Sequence, residues 1–356
     1  MENYIERQNV VINNINVIVD VFISSKYNSL VVIFNNYNYI KNKTTIDVDK
    51  TIITYNSSVL NYILLKEFNN FNTIENINCK KYFNNRFHHD ILVIKDFTTN
   101  IKMDYFNIEI QLRDCVDNII FTKLFNILNT PSIFINKKCV STIHLNEYQL
   151  IPLWIAYHKK LGFEKFIIYD NKFDKLQNDK LINMHKDELY IINADWEYYL
   201  HSYEGISTVG QCIQQNHCLW KFSPKFLALT DLDEYINIKD HSNIFNENIS
   251  VLSIPNYFFG CCNNTRYTYS NFILKLIKRE TCKNETGHRK CIIQSTYVDL
   301  FCVHIPVIWY NSINYLSYDC GYLNHYIILS NKKRACNCNI YCVNNDNSIV
   351  NHLMVS

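Results

Sequence analysis

The sequence predicts an α/β fold over residues 136–335. A β-rich segment precedes it over 1–135, and a tail follows over 336–356. Three observations carry the prediction. After Pro131, short apolar runs alternate with stretches of helical periodicity, the pattern of a parallel sheet with crossover helices. Before Pro131 only short β-branched and aromatic runs occur, with Asn-rich breaks between them, which suits a small sandwich or barrel. The chain has 356 residues of which 48% are hydrophobic, enough for one large core or two and too much for disorder.

Charge excludes several classes. The net charge is +2 and only 19% of residues are charged, with no basic stripe of the kind that tracks a phosphate backbone, so no nucleic-acid partner is expected. The opening residues lack a basic segment followed by an apolar one, so no signal peptide is read. No apolar run reaches the length of a membrane helix. A cytoplasmic protein without a transmembrane segment is the expectation. Fourteen cysteines form no clean C-x-x-C pair. Cys336, Cys338, Cys342 and His352 could bind zinc, but with one residue between the first two, ordinary thiols are the simpler reading. Cys282 and Cys291 flank a polar loop, and a disulfide between them is left open.

In the first segment, Asn9–Ile12, Val17–Ile23, Leu30–Phe34, Thr51–Tyr55 and Asp90–Ile94 read as strands. Asp104, Glu109, Arg113 and Asp114 read as scattered surface charges, and His88-His89 as an exposed pair. Cys139–His144 begins the second pattern as a strand. Leu150, Ile151, Trp154, Ile155, His158 and Leu161 then recur at helical spacing. Pro152 is tolerated only near a helix start, which puts that start near Glu147 or Tyr148. Gly162 fits the helix end. Lys165–Tyr169 is a strand ending in Asp170-Asn171, so strand, helix and strand make a right-handed βαβ unit. A helix over Asp174–Lys186, a strand over Leu189–Ile192, a loop from Trp196 and a helix over Ile206–Phe222 follow. Pro224 then precedes the apolar run Phe226–Leu229. The alternation is that of a Rossmann-like half. It lacks the glycine fingerprint of a dinucleotide site and the glycine-rich phosphate loop.

Phe226–Leu229 ends in Asp231-Leu-Asp-Glu-Tyr235. In open α/β sheets ligands sit beyond the carboxyl ends of the strands. Were the backbone extended there, Asp231 and Asp233 would project together and Leu232 would turn inward. Two converging carboxylates repel unless a cation or proton lies between them, and a divalent ion bridging to a phosphate answers that need. An ordinary acidic strand end has the same letters.

In order along the chain, Asn146-Glu147, Pro152–His158, Leu161-Gly-Phe163, Ile168–Asn171, the helix with Gln211, Asn216 and Cys218, the D-x-D strand, Phe258-Phe-Gly260, Arg289–Ile293, Val303-His304 and Asn324-His-Tyr326 resemble glycosyltransferase family 92. The resemblance spans about residues 138–333. It implies a GT-A fold and a metal-dependent, inverting transfer from a UDP-sugar, galactose first, to a glycan or glycoprotein acceptor. It implies Asp231 and Asp233 as metal ligands for Mn²⁺ or Mg²⁺, hard-oxygen sites suiting both, with His304 or His325 closing the sphere. Lys290, with Arg289 beside it, would reach the diphosphate. Asp170 and Asn171 would hold base or ribose, and Asn146 and Glu147 would share that work. An inverting transfer also needs a base for the acceptor hydroxyl. The family's acid is displaced here, with Lys278 near its place, so Glu280 is the first candidate and Glu234 the second. The competing expectation is a catalytically inactive relative that binds glycans or serves as a scaffold.

Overall fold

The computed structural model describes residues 3–12, 15–35, 46–65, 89–98, 104–114, 116–129, 132–198, 200–202, 205–207, 209–259, 278–280, 289–326 and 342–345. The protein is a mixed α/β structure organised on a nine-stranded sheet. Its strands are β1 (Lys138–His144), β2 (Lys165–Asp170), β3 (Leu189–Asn193), β4 (Phe226–Leu229), β5 (Glu234–Ile238), β6 (Val251–Phe258), β7 (Arg289–Ile293), β8 (Ile313–Tyr315) and β9 (Gly321–His325). The order is β3-β2-β1-β4-β7-β6-β9-β5, with β8 also on β6. Strands β3, β2, β1 and β4 run parallel. Strand β7 is antiparallel to both of its neighbours.

Both faces of this sheet are covered, and β1 to β4 accordingly read as near-continuous apolar runs. Helix α1 (Ile151–Lys160) lays Trp154 and Ile155 on one face, where α2 (Lys175–Met184) adds Leu181. Helix α3 (Val209–Phe222) lays Cys212, Leu219 and Trp220 on the other. The caps follow the sequence. Pro152 sits in the first turn of α1, and Lys159 and Lys160 sit in its last turn, where the helix dipole favours cations. Gly162 takes φ +95° just beyond, a conformation that costs glycine little. The Asp174 side chain caps α2 by accepting from Gln177 N.

The β-rich segment forms two sheets. One runs Val10–Ile12, Ile15–Ser24, Ser29–Asn35, His89–Ile94, Ile63–Leu65; the other Ser58–Val59, Ile52–Tyr55, Tyr105–Arg113, Ile119–Leu128. Ile18, Leu30, Phe34, Phe106, Ile108 and Phe125 fill the space between them. Asp104 and Glu109 are exposed and Arg113 and Asp114 half-buried, in keeping with their reading as scattered surface charges. Phe106, Ile108, Ile110 and Leu112 are all fully buried and alternate with Asn107, Glu109 and Gln111, a strand with one polar face.

The sandwich also shares a core with the large sheet. Val19, Phe22, Val31, Ile33, Ile91 and Val93 pack with Cys212, Leu219 and Trp220 of α3. Two buried polar clusters cross the same seam. His217 Nε2 lies 2.9 Å from Asp20 Oδ2, while the Tyr169 hydroxyl meets His217 Nδ1 at 2.6 Å. Lys26 Nζ lies 2.8 Å from Asp299 Oδ1. Residues 3–5 extend the edge of β3, with Ile5 N donating to Ile191 O and Ile191 N to Asn3 O. Cys139, Cys218 and Cys291 are buried and not in disulfides. Cys282, Cys336, Cys338, His88 and His352 lie outside the described residues, as do the side chains of His89 and Cys342. Among the described residues, no helix is long and apolar enough to cross a membrane.

Candidate functional site

The D-x-D segment is not extended. β4 stops at Leu229 and β5 starts at Glu234, so Asp231 and Asp233 stand in the turn between them. The reason is local. Glu234 N donates to Asp231 O at 3.1 Å, and Asp231 N donates to the Glu234 carboxylate at 2.8 Å. Leu232 does turn inward, packing among Tyr235, Ile236 and Leu323.

Three further elements bring side chains to this turn. Antiparallel pairing of β5 and β9 sets Glu234 opposite His325. Pairing of β4 with β7 sets Leu229 opposite Cys291, which leaves Lys290 beside the end of β4. The first turn of α3 offers Gln211, whose amide donates to Asp231 Oδ1. Lys290 Nζ stands 3.2 Å from Asp231 Oδ2 and 3.4 Å from Glu234 Oε2. His325 Nε2 stands 3.5 Å from Asp233 Oδ2, and its Nδ1 stands 3.6 Å from Glu234 Oε1. The Phe258 ring packs on His325 with centroids 5.1 Å apart.

Electrostatics bind the group together. Burial pulls the Lys290 ammonium down, but Asp231, Glu234 and Asp233 outweigh it and hold the proton more tightly than usual. Burial pushes the Glu234 carboxyl up to about 7, with Lys290 opposing and Asp231 adding to the rise. Burial alone would raise Asp233; His325 and Lys290 reverse this and lower it. His325 is raised, because Asp233 and Glu234 outweigh its desolvation. Glu147 is raised by burial and, further off, by Asp233 and Asp231. Asp231 is the open member, its side chain 31% exposed against 2% for Lys290.

Four carboxyl groups thus face two basic groups, an excess of acid that a cation would relieve. Two ligands ~2.1 Å from one divalent ion and roughly at right angles stand about 3 Å apart. Asp233 and His325, at 3.5 Å, fit such an ion with little movement. Among the described residues, no three His, Cys, Asp or Glu side chains already form a closed cage. An ion here would draw its other ligands from phosphate oxygens and water, the usual arrangement for a hard cation on a nucleotide.

The other sequence candidates are placed as follows. His304 donates its Nδ1–H to Arg289 O, 2.9 Å away, in the turn after Val303, whose φ is +28°. Arg289 gives its guanidinium to Ser253 Oγ, Ser253 O and Leu316 O. Asp170 is fully buried and accepts from the Tyr148 hydroxyl, Asn178 Nδ2 and Lys172 N. Asn171 donates to Ala194 O and Trp196 O. Asn146 is exposed in a left-handed turn, φ +67°. The Glu147 carboxylate accepts from Leu145 N at 2.6 Å. The Glu280 side chain lies outside the described residues. Gln211 is a residue of this cluster to which sequence reasoning gave no site role. A signal for Gln211 existed: Gln211, Gln214, Gln215, Asn216 and His217 are all buried on one helix, and buried amides need partners.

The molecule is an α/β protein with an acidic turn at the carboxyl end of a parallel strand and a buried lysine and a histidine beside it, the end of the strands where open α/β sheets hold ligands. The chain belongs to glycosyltransferase family 92, whose model matches residues 137–351. No curated protein matches it. Among solved structures it is similar to the WbbM bifunctional glycosyltransferase in its apo form, at 10% identity and a TM-score of 0.28, over 49% of this chain and 35% of that one. It is also similar to HddC from Yersinia pseudotuberculosis, at 10% identity and a TM-score of 0.30, over 53% of this chain and 93% of that one. The chain thus spans about a third of the length of the first.

Proposed function

We propose that the chain is a metal-dependent, inverting glycosyltransferase of the GT-A type. It would move a sugar, galactose first, from a UDP-sugar to a glycan or glycoprotein acceptor. The observation that carries the reading is the pairing of Asp233 with His325 next to the Lys290–Asp231 ion pair, at the carboxyl end of β4. The parallel order β3-β2-β1-β4, with β7 reversed after it, supports the GT-A assignment. Residues 136–335 would be the transferase domain, 1–135 an accessory domain and 336–356 a tail.

In this reading Asp233 and His325 hold Mn²⁺ or Mg²⁺, and an imidazole ligand favours Mn²⁺. When bound, the ion supplies positive charge that offsets the departing diphosphate. Asp231 shares the ion's charge from the solvent side, where its exposure leaves room for donor phosphates. Lys290 is buried and firmly protonated, a fixed positive charge that orients the diphosphate and screens Asp231. Glu147 and Asn146 flank the place of the nucleotide. The hydrogen bonds of Asp170 and Asn171 suit a different duty, fixing the loops that follow β2 and β3. Glu280 remains the candidate base for the acceptor hydroxyl.

The second reading, an inactive glycan-binding or scaffolding relative, draws on Asp231. Gln211 and Lys290 already occupy its carboxylate, as a dead site would. One experiment separates the two. The purified chain is incubated with UDP- and GDP-sugars and Mn²⁺, and nucleotide release and thermal shift are followed. Donor-dependent release that is lost in Asp231→Ala and Asp233→Ala supports the enzyme. Silence with every donor, or release unchanged in both variants, sinks it.

A further inference from the structure

Glu234 entered as the second candidate for the catalytic base, yet its surroundings point inward. Its carboxylate is 1% exposed, so no acceptor hydroxyl can reach it. Its two oxygens serve different neighbours. Oε2 accepts from Asp231 N at 2.8 Å and lies 3.4 Å from Lys290 Nζ. Oε1 faces His325 Nδ1 at 3.6 Å. That imidazole nitrogen is buried and has no hydrogen-bond partner, and a buried N–H without a partner costs free energy. Glu234 Oε1 is the acceptor beside it, fixed there because Glu234 and His325 are a cross-strand pair.

We propose that Glu234 is a positioning residue that sets the tautomer of His325. With Nδ1–H directed at Glu234 Oε1, the lone pair of His325 lies on Nε2. That nitrogen faces Asp233 Oδ2 at 3.5 Å, the side on which a metal would bind. A carboxylate behind a ligating imidazole fixes both its ring orientation and its basicity. The same carboxylate closes the D-x-D turn through Asp231 N. One buried group therefore organises both arms of the site, the histidine and the aspartate turn. The inference rests on the metal-site reading above.

The informative variant is Glu234→Gln, which keeps the shape and reverses one polarity. The amide oxygen still accepts from Asp231 N and Lys290. The amide NH₂ then faces His325 and needs a lone pair on Nδ1, which puts the proton on Nε2 and closes the metal side. Mn²⁺ is titrated into the metal-free full-length chain, with and without UDP, and free Mn²⁺ is read by electron paramagnetic resonance. Glu234→Gln should weaken Mn²⁺ binding by about 10–100-fold. In a His325→Ala background it should cost nothing further, because the two residues act as one unit.

Glu234→Gln with wild-type Mn²⁺ affinity but lost turnover would identify a base and overturn the proposal. Wild-type protein that takes up no Mn²⁺ under either condition would overturn the metal reading and this inference together. A wild type that binds Mn²⁺, with Glu234→Gln binding it equally, overturns this inference alone. If Glu234→Gln does not fold, imidazole ¹⁵N spectra of the wild type at alkaline pH decide, with the His325 signal assigned by its loss in His325→Ala. Nδ1–H supports the proposal and Nε2–H refutes it.

Discussion

Replacing Lys26 by Met tests how tightly the sandwich is joined to the large sheet. Lys26 lies in the turn between Ile15–Ser24 and Ser29–Asn35. Its side chain is 3% exposed and that of Asp299 2%. The ammonium is 2.8 Å from Asp299 Oδ1, donates to Ser295 O at 2.6 Å and to Val298 O, and lies 5.1 Å from the Trp220 ring centre. Met keeps the apolar stem and removes the charge. Asp299 would keep only the hydroxyls of Tyr310 and Tyr27, and two carbonyls would lose a donor. Breaking a buried pair from one side costs about 3–5 kcal/mol. Unfolding entropy is about 2.1 cal/mol/K per residue, or ~0.7 kcal/mol/K for 356 residues melting together. A loss of ~4 kcal/mol then lowers Tm by about 5 °C in one transition. Were only a 200-residue part melting, the same loss would lower its Tm by about 10 °C. Scanning calorimetry reads both the shift and the number of transitions. A second change, Asp299→Asn, should recover part of the loss, since the lone buried charge is the main penalty. A shift under about 1 °C, or two transitions of which one stays put, refutes the argument that the pair joins the two parts.

Two further outcomes are expected from the core. Burial pushes His144, His158 and His217 down to about 4 each, against the opposing pull of Asp170, Trp154 O and Asp20 respectively. The unfolded chain takes up these protons near pH 6.5 and the folded chain resists them, so stability is full above pH ~6.5 and falls as pH drops toward 4. Each histidine is worth up to about 3 kcal/mol across that window. Urea midpoints measured between pH 7.5 and 5 check this, and a flat profile contradicts it. Gly210→Ala places a Cβ 2.7 Å from Tyr198 Cα and 2.9 Å from Glu197 O, both backbone and unable to yield cheaply. It should cost about 1–3 kcal/mol and loosen the start of α3, which carries Gln211. An unchanged urea midpoint would show that the loop from Trp196 gives way freely.

The residues differ in how much of their duty the sequence exposes. The run Leu30-Val-Val-Ile-Phe34 has no polar alternation because its strand is buried on both sides, against the second sandwich sheet and against α3. Uniform hydrophobicity thus already said that the sandwich would be covered on its outer face. The strand Tyr105–Arg113 carried an equally plain period of two, hidden only by the attention its charges drew. The D-x-D turn could not be read in the same way. Its shape depends on one carboxylate, Glu234, folding back onto Asp231 N, and three consecutive acidic or apolar letters permit either an extended or a turned backbone. Asp170 and Asn171 show the converse ambiguity: a polar group at a strand end serves a ligand or the chain's own loops, and only its partners tell which. His304 and His325 were indistinguishable as letters for a topological reason. What separates them is that β9 returns beside β5 and sets His325 opposite Glu234, whereas His304 sits in a turn against Arg289 O. The site is built from β4, β5, β7, β9 and α3, so its membership is decided by long-range register. Local spacing reaches only as far as Asp231, Asp233 and Glu234; Lys290 and His325 entered through the family resemblance, and Gln211 was given no role at all.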